Sequence, residues 1–423
     1  MKATIYPGTC SGTIHIPPSK SMSHRALLCA ALSKGTSHIT NLIFSEDIQA
    51  TLDAIVCMGA SVRVEEDSVY ITGVDGKIDP TNTTIDCKES GSTLRFTIPL
   101  LSLSEEKITF LGRNRLLHRP LEIYQKIFME QGASFQQSDT SLTIQGSLNS
   151  GEYTLPGNIS SQFITGLLYT LPLLKEDSTL HILPPFESRS YVTLTVQMLE
   201  RFHIHIQEID EYTYYIPGNQ QYIAQDYTVE GDYSQAAFFA VLAAINHDLT
   251  LTGIQRNSKQ GDKVILEYLS ACGVDITYQE DHITVHKSSI QGRELDLADC
   301  PDLGPILTVL GMYAKGDHIL SNIARLRLKE SDRVEAMEKN LRALGVEISS
   351  DADHIYIHPT HEYTGQVECD GAKDHRIVMS LAVAATMLPQ EITITHAEAI
   401  HKSYPSFFKD LQDLGIHVRL EEA

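Results

Sequence analysis

The sequence predicts an α/β protein made of six copies of one α+β unit, shared between two domains. Three observations carry this. Helices end at a Gly or its substitute with a period of about 70 residues, longer than that of solenoid repeats. Two short alternating strands follow such an end. The chain has 423 residues, and a single core stops growing near about 250–300.

The helix exits read Met58-Gly59-Ala60, Gln131-Gly132-Ala133, Arg201-Phe202-His203, Cys272-Gly273-Val274, Leu344-Gly345-Val346 and Leu414-Gly415-Ile416. Before Gly345, the residues Val334, Met337, Leu341 and Leu344 recur at helical spacing and form one apolar face. Gly345 suits the left-handed position that closes a helix. Residues 346–348 and 355–357 then alternate across the polar turn 349–354, as half-buried antiparallel strands do. The phrase recurs at 61–64 with 69–72, at 134–136 with 142–144, and at 274–277 with 283–285. In the third copy Phe202 takes the place of the Gly, and Tyr212, Tyr214 and Tyr215 load the second strand.

A hydrophobic content of 42% allows two ordinary cores. No run of about 18 apolar residues suggests a membrane span. The first residues, Met1-Lys2-Ala3-Thr4-Ile5-Tyr6-Pro7, show neither an apolar leader nor an Arg/Ser-rich presequence, so a cytoplasmic protein is expected. The cysteines are an odd seven, without CxxC spacing, which speaks against a disulfide framework or a zinc site.

A net charge of −21 repels phosphate backbones and excludes a general nucleic-acid binder. Yet cations cluster just before repeat helices: Lys20 and Arg25; Arg113, Arg115 and Arg119; Arg325, Arg327, Lys329 and Arg333; Lys373 and Arg376; and Lys402. Helix N-termini already favour anions, and Arg adds bidentate recognition of carboxylate or phosphate. Several such ends converging would make a pocket for small, highly anionic ligands.

Pro17-Pro18-Ser19-Lys20-Ser21 has the grammar of a turn and a Ser cap feeding a helix, with Arg25 one turn in. Lys329-Glu330-Ser331-Asp332-Arg333 precedes an amphipathic stretch, with Ser331 or Asp332 as the cap. Lys329 and Arg333, four apart, would share one face of a helix. Asp374-His375-Arg376 precedes the apolar stretch 377–387, and Cys300-Pro301-Asp302 precedes 303–313. A charge directly before a buried helix needs a partner, and an anionic ligand or a catalytic proton would serve.

Taken with Gly91-Ser92-Thr93-Leu94-Arg95, Arg119-Pro120 and Ser160-Ser161-Gln162-Phe163, these segments resemble the EPSP synthase (3-phosphoshikimate 1-carboxyvinyltransferase) family of enolpyruvyl transferases over essentially the whole length. The resemblance implies a two-lobed inside-out α/β barrel, each lobe three βαβαββ units around parallel buried helices. Residues 1–19 with 228–423 would form one lobe and 20–227 the other, with the active site in the cleft between them.

The implied reaction moves the enolpyruvyl group of phosphoenolpyruvate to the 5-hydroxyl of shikimate 3-phosphate and releases phosphate, by addition then elimination. The implied catalytic residues are Asp302 as base, with Glu330 and Lys20 in proton transfer. Shikimate 3-phosphate would be met by Lys20, Ser21, Arg25, Ser160, Ser161, Gln162, Ser188, Asp302 and Lys329, with Tyr191 nearby. Phosphoenolpyruvate would be met by Lys20, Gly91, Arg119, Gln162, Arg333, Arg376 and Lys402. No metal and no cofactor are expected, because Lys20, Arg25, Arg119, Lys329, Arg333, Arg376 and Lys402 offer seven positive charges to the two substrates. A monomer working on small molecules is expected, with no membrane or nucleic-acid partner.

Two rivals are weaker. The sister transferase acting on UDP-N-acetylglucosamine places a Cys or Asp in the loop that here reads Gly112-Arg113-Asn114-Arg115-Leu116-Leu117-His118-Arg119. An RNA 3′-terminal phosphate cyclase needs a basic RNA face, which the net charge opposes. The sequence departs from many family members at Glu89 and Arg325, where they carry Asn. Arg325 would either contact phosphate or point away.

Overall fold

The structure, a computed structural model, describes residues 1–359, 362–363 and 368–422. It divides into two compact units, Met1–Pro17 with Glu230–Ala423, and Pro18–Val229. The second division falls at 229/230 because Tyr227 and Thr228 pair in parallel with Ile39 and Thr40, and Val229 N–H donates to the Thr40 carbonyl.

In Pro18–Val229 the helices are α1 (Lys20–Leu32), α2 (Glu46–Cys57), α3 (Gly91–Ser102), α4 (Glu122–Glu130), α5 (Ser161–Thr170) and α6 (Arg189–Arg201). In the other unit they are α7 (Tyr233–Ile245), α8 (Ile265–Ala271), α9 (Gly304–Met312), α10 (Arg333–Ala343), α11 (His375–Ala385) and α12 (Phe407–Asp413). The described residues form six four-stranded sheets, three in each unit. Counted from one edge, the first two strands of every sheet are parallel and the remaining pairs antiparallel, as with Thr84–Asp86 beside Ile108–Leu111. An odd-numbered helix leads into the second strand of each sheet, and an even-numbered helix follows that strand.

The two helix sets differ in what they bury. Helices α7, α9 and α11 are buried along their whole length and touch one another; their sequences are largely apolar, with Ser234, Gln235, His375 and Arg376 confined to first turns. Helices α1, α3 and α5 are buried except at Lys20, Ser21, Ser92 and Gln162, all in a first turn. The even-numbered helices bury one stripe, such as Val334, Met337 and Leu341 in α10.

All six even-numbered helices close in the same way. The N–H of Ala60, Ala133, Ile204, Val274, Val346 and Ile416 each donates to a carbonyl five residues back, and the residue before each has positive φ. This is the Schellman motif. Five of the left-handed residues are glycines. The third is His203 at φ 65, with Phe202 as the ordinary cap before it, so His203 and not Phe202 takes the glycine's place. His tolerates the left-handed region better than a bulky aromatic at the cap.

The strands after α8 and α10 start at Ile276 and Ile348, two residues later than expected, since Val274 and Val346 are spent on the helix closure. Besides Tyr227–Thr228, two more strands are supplied from far away in sequence. Lys2–Ile5 pairs antiparallel with Ile392–Thr395 and with Val418–Glu421, and Gly12–His15 pairs in parallel with Leu249–Thr252. Among the described residues no helix is long and apolar enough to cross a membrane.

Candidate active site

A helix that feeds a parallel strand runs back along it, so the helix N-terminus and the strand's carboxyl end lie at the same end of the repeat. The predicted residues all fall there. Most occupy either the first turn of an odd-numbered helix and the turn before it, or the segment joining the second strand to the following even-numbered helix; Arg25 lies one turn further into α1, and Arg333 is the first residue of α10.

In Pro18–Val229, Ser19, Ser90 and Ser160 cap α1, α3 and α5, accepting from Met22, Thr93 and Gln162 N–H. Lys20 Nζ lies 2.8 Å from Asp47 Oδ2 at the start of α2. Arg25 is buried, donating to Thr195 Oγ1 at 2.9 Å and to the carbonyls of Ser21 and Tyr191 at 2.8 and 2.9 Å. Burial lowers its pKa from the ordinary arginine value. Beside it His24 is held neutral, its pKa pushed well down by burial and by the charges of Lys20 and Arg25.

Gly91 opens α3, where a Cβ would stand 2.9 Å from Arg119 Nη1 and 3.0 Å from Arg95 Nη1. Any side chain there displaces a guanidinium. Arg95 donates to Gln162 Oε1 at 3.0 Å and to the Pro120 carbonyl at 2.9 Å, and Gln162 Nε2 reaches Ser92 Oγ at 3.1 Å. Ser161 opens α5, and Ser188 precedes α6 in a left-handed conformation at φ 54.

In the other unit three cations meet on Asp302. Lys329 Nζ and Arg333 Nη1 lie 3.2 and 2.9 Å from Oδ1, and Arg376 Nη2 lies 2.9 Å from Oδ2. Arg333 also reaches Glu330 at 2.7 Å and Asp374 at 2.8 Å. Asp374 caps α11 and accepts from Ser331 Oγ at 3.0 Å, while Asp332, not Ser331, caps α10. Lys329 precedes the helix and does not share a helical face with Arg333; the two converge because both reach Asp302. Lys402 Nζ donates to the Lys373 carbonyl at 2.6 Å.

Burial alone would weaken the Arg333 cation, but Asp374, Glu330 and Asp302 outweigh it and hold its pKa above the ordinary value. Burial likewise opposes the Asp374 carboxylate, and Arg333 holds its pKa below the ordinary one. Lys329 is shifted down, by burial first, against the pull of Asp302. A buried cluster of compensated charges at the ends of parallel strands suits anionic ligands and proton transfer.

A family model for EPSP synthase (3-phosphoshikimate 1-carboxyvinyltransferase) matches residues 6–411. The chain belongs to the EPSP synthase family. It is 43% identical over 417 residues to the 3-phosphoshikimate 1-carboxyvinyltransferase of Clostridium perfringens strain ATCC 13124, covering 98% of each. It is 40% identical over 422 residues to that of Clostridioides difficile strain 630, covering 97% of each. A solved EPSP synthase from Acinetobacter baumannii superposes with a TM-score of 0.83 at 26% identity, over 99% of this chain and 100% of that one. The enolpyruvyl transferase NikO from Streptomyces tendae, with a TM-score of 0.81 at 16% identity over 100% and 99% of the two chains, shares the fold. As an EPSP synthase homologue the chain is a transferase that moves the enolpyruvyl group of phosphoenolpyruvate to shikimate 3-phosphate in the shikimate pathway.

Within that family frame, Asp302, Lys329, Glu330, Arg333 and Arg376 are drawn into one bonded group. Gly91, Arg119 and Gln162 gather around Arg95, and Ser21 and Arg25 stand together beside Lys20. Other cations turn elsewhere. Arg113 pairs with Asp86 at an exposed site, Arg327 reaches the Asp351 carbonyl, and Arg325 is buried and donates to the Ala298 carbonyl just before Asp302. Glu89 accepts from Asn114 at 2.6 Å. Sequence reasoning missed Asp47 and passed over Arg95 and Asp374 as site members. The last two lay inside quoted segments, but Asp47 offered no motif.

Proposed function

We propose that Asp302 is the base that takes the proton of the shikimate 3-phosphate 5-hydroxyl as its oxygen adds to C2 of phosphoenolpyruvate. The methylene carbon gains a proton from Lys20 or Glu330, giving a tetrahedral ketal phosphate. Phosphate then leaves as the new methyl group returns a proton. The observation that carries this reading is the carboxylate of Asp302 held among Lys329, Arg333 and Arg376, the three cations best suited to receive substrate anions.

Lys20, Ser21, Arg25, Ser160, Ser161, Gln162, Ser188, Asp302 and Lys329 are read as the shikimate 3-phosphate contacts. Lys20, Gly91, Arg119, Gln162, Arg333, Arg376 and Lys402 are read as the phosphoenolpyruvate contacts. On this reading the two substrates meet at Asp302, where Lys329 of the first set stands with Arg333 and Arg376 of the second. Each unit is read as one lobe of an inside-out α/β barrel, with sheets outside and three helices inside, and one turnover draws on both residue sets. The catalyst is read as a cytoplasmic monomer in which cations, not a metal, balance substrate charge.

The test is phosphate release with phosphoenolpyruvate and shikimate 3-phosphate, run beside UDP-N-acetylglucosamine. Release is expected with the shikimate substrate alone. Activity that survives EDTA is expected too, and dialysed enzyme that needs a divalent metal would overturn the cation reading.

A further inference from the structure

Five of the six odd-numbered helices carry predicted site residues at their starts: Lys20 and Ser21 on α1, Gly91 on α3, Ser160 to Gln162 at α5, Asp302 at α9 and Arg376 on α11. None had been assigned to α7. We propose that the first turn of α7 belongs to the active site and that Ser234 is a positioning residue for Arg376. The proposal rests on the reading that Arg376 receives phosphoenolpyruvate.

Ser234, Asp232 and Arg376 are all at least nine-tenths buried, with 5, 4 and 3% of their surface exposed. The hydroxyl of Ser234 donates to Asp232 Oδ1 at 2.5 Å. Its single proton is thereby committed, so its lone pairs are the groups that face Arg376, whose Nη2 donates to it at 3.0 Å. Asp232 is itself fixed as the cap of α7, accepting from Ser234 N–H at 2.8 Å and Gln235 N–H at 3.3 Å. The order is carboxylate, hydroxyl, guanidinium, and the negative charge polarises the hydroxyl toward the cation.

A hydroxyl at this position has a chemical consequence. The same Nη2 donates to Asp302 Oδ2, a carboxylate that competes directly with an anionic ligand for Arg376. Ser234 carries no charge, so it holds the guanidinium in place without neutralising it. When a substrate anion draws Arg376 from Asp302, the Ser234 contact still helps to fix where the guanidinium stands.

The experiment is steady-state kinetics on Ser234→Ala, Ser234→Thr, Arg376→Ala and the Ser234→Ala/Arg376→Ala double variant of the full chain, with melting temperatures alongside. Ser234→Ala should raise KM for phosphoenolpyruvate about tenfold, the scale of one hydrogen bond to a charged group. KM for shikimate 3-phosphate and kcat should stay within about twofold, and Thr should restore most of the loss. In the Arg376→Ala background the Ser234 substitution should add nothing. An unchanged KM in Ser234→Ala, with Arg376→Ala raising it, would overturn the proposal and leave the Arg376 reading standing. An unchanged KM in Arg376→Ala would overturn that reading itself. Parallel losses in kcat and both KM values with a lowered melting temperature, or full additivity in the double variant, would show that Ser234 serves only the fold.

Discussion

In Pro18–Val229 the buried guanidinium of Arg25 rests on a hydroxyl and two backbone carbonyls, whereas in the other unit Arg333 rests on three carboxylates, Asp302, Glu330 and Asp374. The two solutions serve different ends. Neutral acceptors fix a cation and leave its charge for an anionic substrate; carboxylates cancel it and keep a buried cluster affordable until a substrate anion competes. The exposure pattern agrees, since the helix positions left unburied in α1, α3 and α5 include Lys20, Ser21 and Gln162, while α7, α9 and α11 leave none. It also revises the charge count read from sequence. Of the seven cations, Lys20, Lys329, Arg333 and Arg376 already have a carboxylate partner.

Stability separates the units most sharply. Asp374→Ala removes one carboxylate from the fully buried Arg333 and should cost about 3–5 kcal/mol, read by denaturant titration at neutral pH. Thr195→Val removes a neutral acceptor from Arg25 and should cost about 1–2 kcal/mol. Equal costs would erase the distinction between the two ways of holding a cation.

Chemistry comes next. Asp302→Asn keeps size and hydrogen bonding but removes the base, so turnover should fall about 10²-fold or more while calorimetry still detects shikimate 3-phosphate binding. Abolished binding would place Asp302 among the binding groups alone.

Each unit also buries a neutral histidine, and pH compares them. His24 is pushed well below 6.5, and burial lowers His318 from 6.5 to about 4. The unfolded chain takes up protons near 6.5 that these folded sites refuse, so stability should fall as pH drops below 6.5, by about 1.4 kcal/mol per pH unit for each histidine. The His318 contribution to that slope should end near pH 4. Asp374 acts in the opposite window: its folded pKa is below 3.8, so its contribution is complete above 3.8 and is lost only as pH falls beneath it. Thermal melts across pH on His24→Asn and His318→Asn should each flatten the slope, and a slope unchanged by either substitution would contradict the neutral state.

Smaller effects sharpen the substrate assignment. Arg95→Lys loses the fork that holds Gln162 and the Pro120 carbonyl together, and KM for phosphoenolpyruvate should rise about tenfold, more than KM for shikimate 3-phosphate. Rising ionic strength should weaken substrate capture a few-fold, since exposed attraction is screened within about 8–10 Å; salt-independent kinetics would argue that substrate charge is met only by buried groups.

The repeats were legible because everything that marks them is local. An apolar stripe at helical spacing, a left-handed glycine and two alternating strands lie within about 30 residues of one another and need no knowledge of the rest. The segments before the buried helices were legible for the same reason, since charges next to an all-apolar helix are expensive unless they have work to do. His203 escaped because no glycine announced the turn, and Asp47 because its partner Lys20 lies on another helix.

By itself the sequence determined the repeat, most helix caps and the segments in which the proposed site residues lie, since these depend on spacings of a few residues. Only the tertiary structure decided which charge meets which. Asp302 finds Lys329, Arg333 and Arg376 at separations of 27, 31 and 74 residues, and Lys2–Ile5 finds its sheet partner at Ile392–Thr395. Nothing in the local spacing encodes such pairs; they follow from strand register and from which helix starts share one end of the sheets. Ser234 shows the limit most clearly, an ordinary helix serine in the sequence whose place between Asp232 and Arg376 exists only once two segments 142 residues apart have packed.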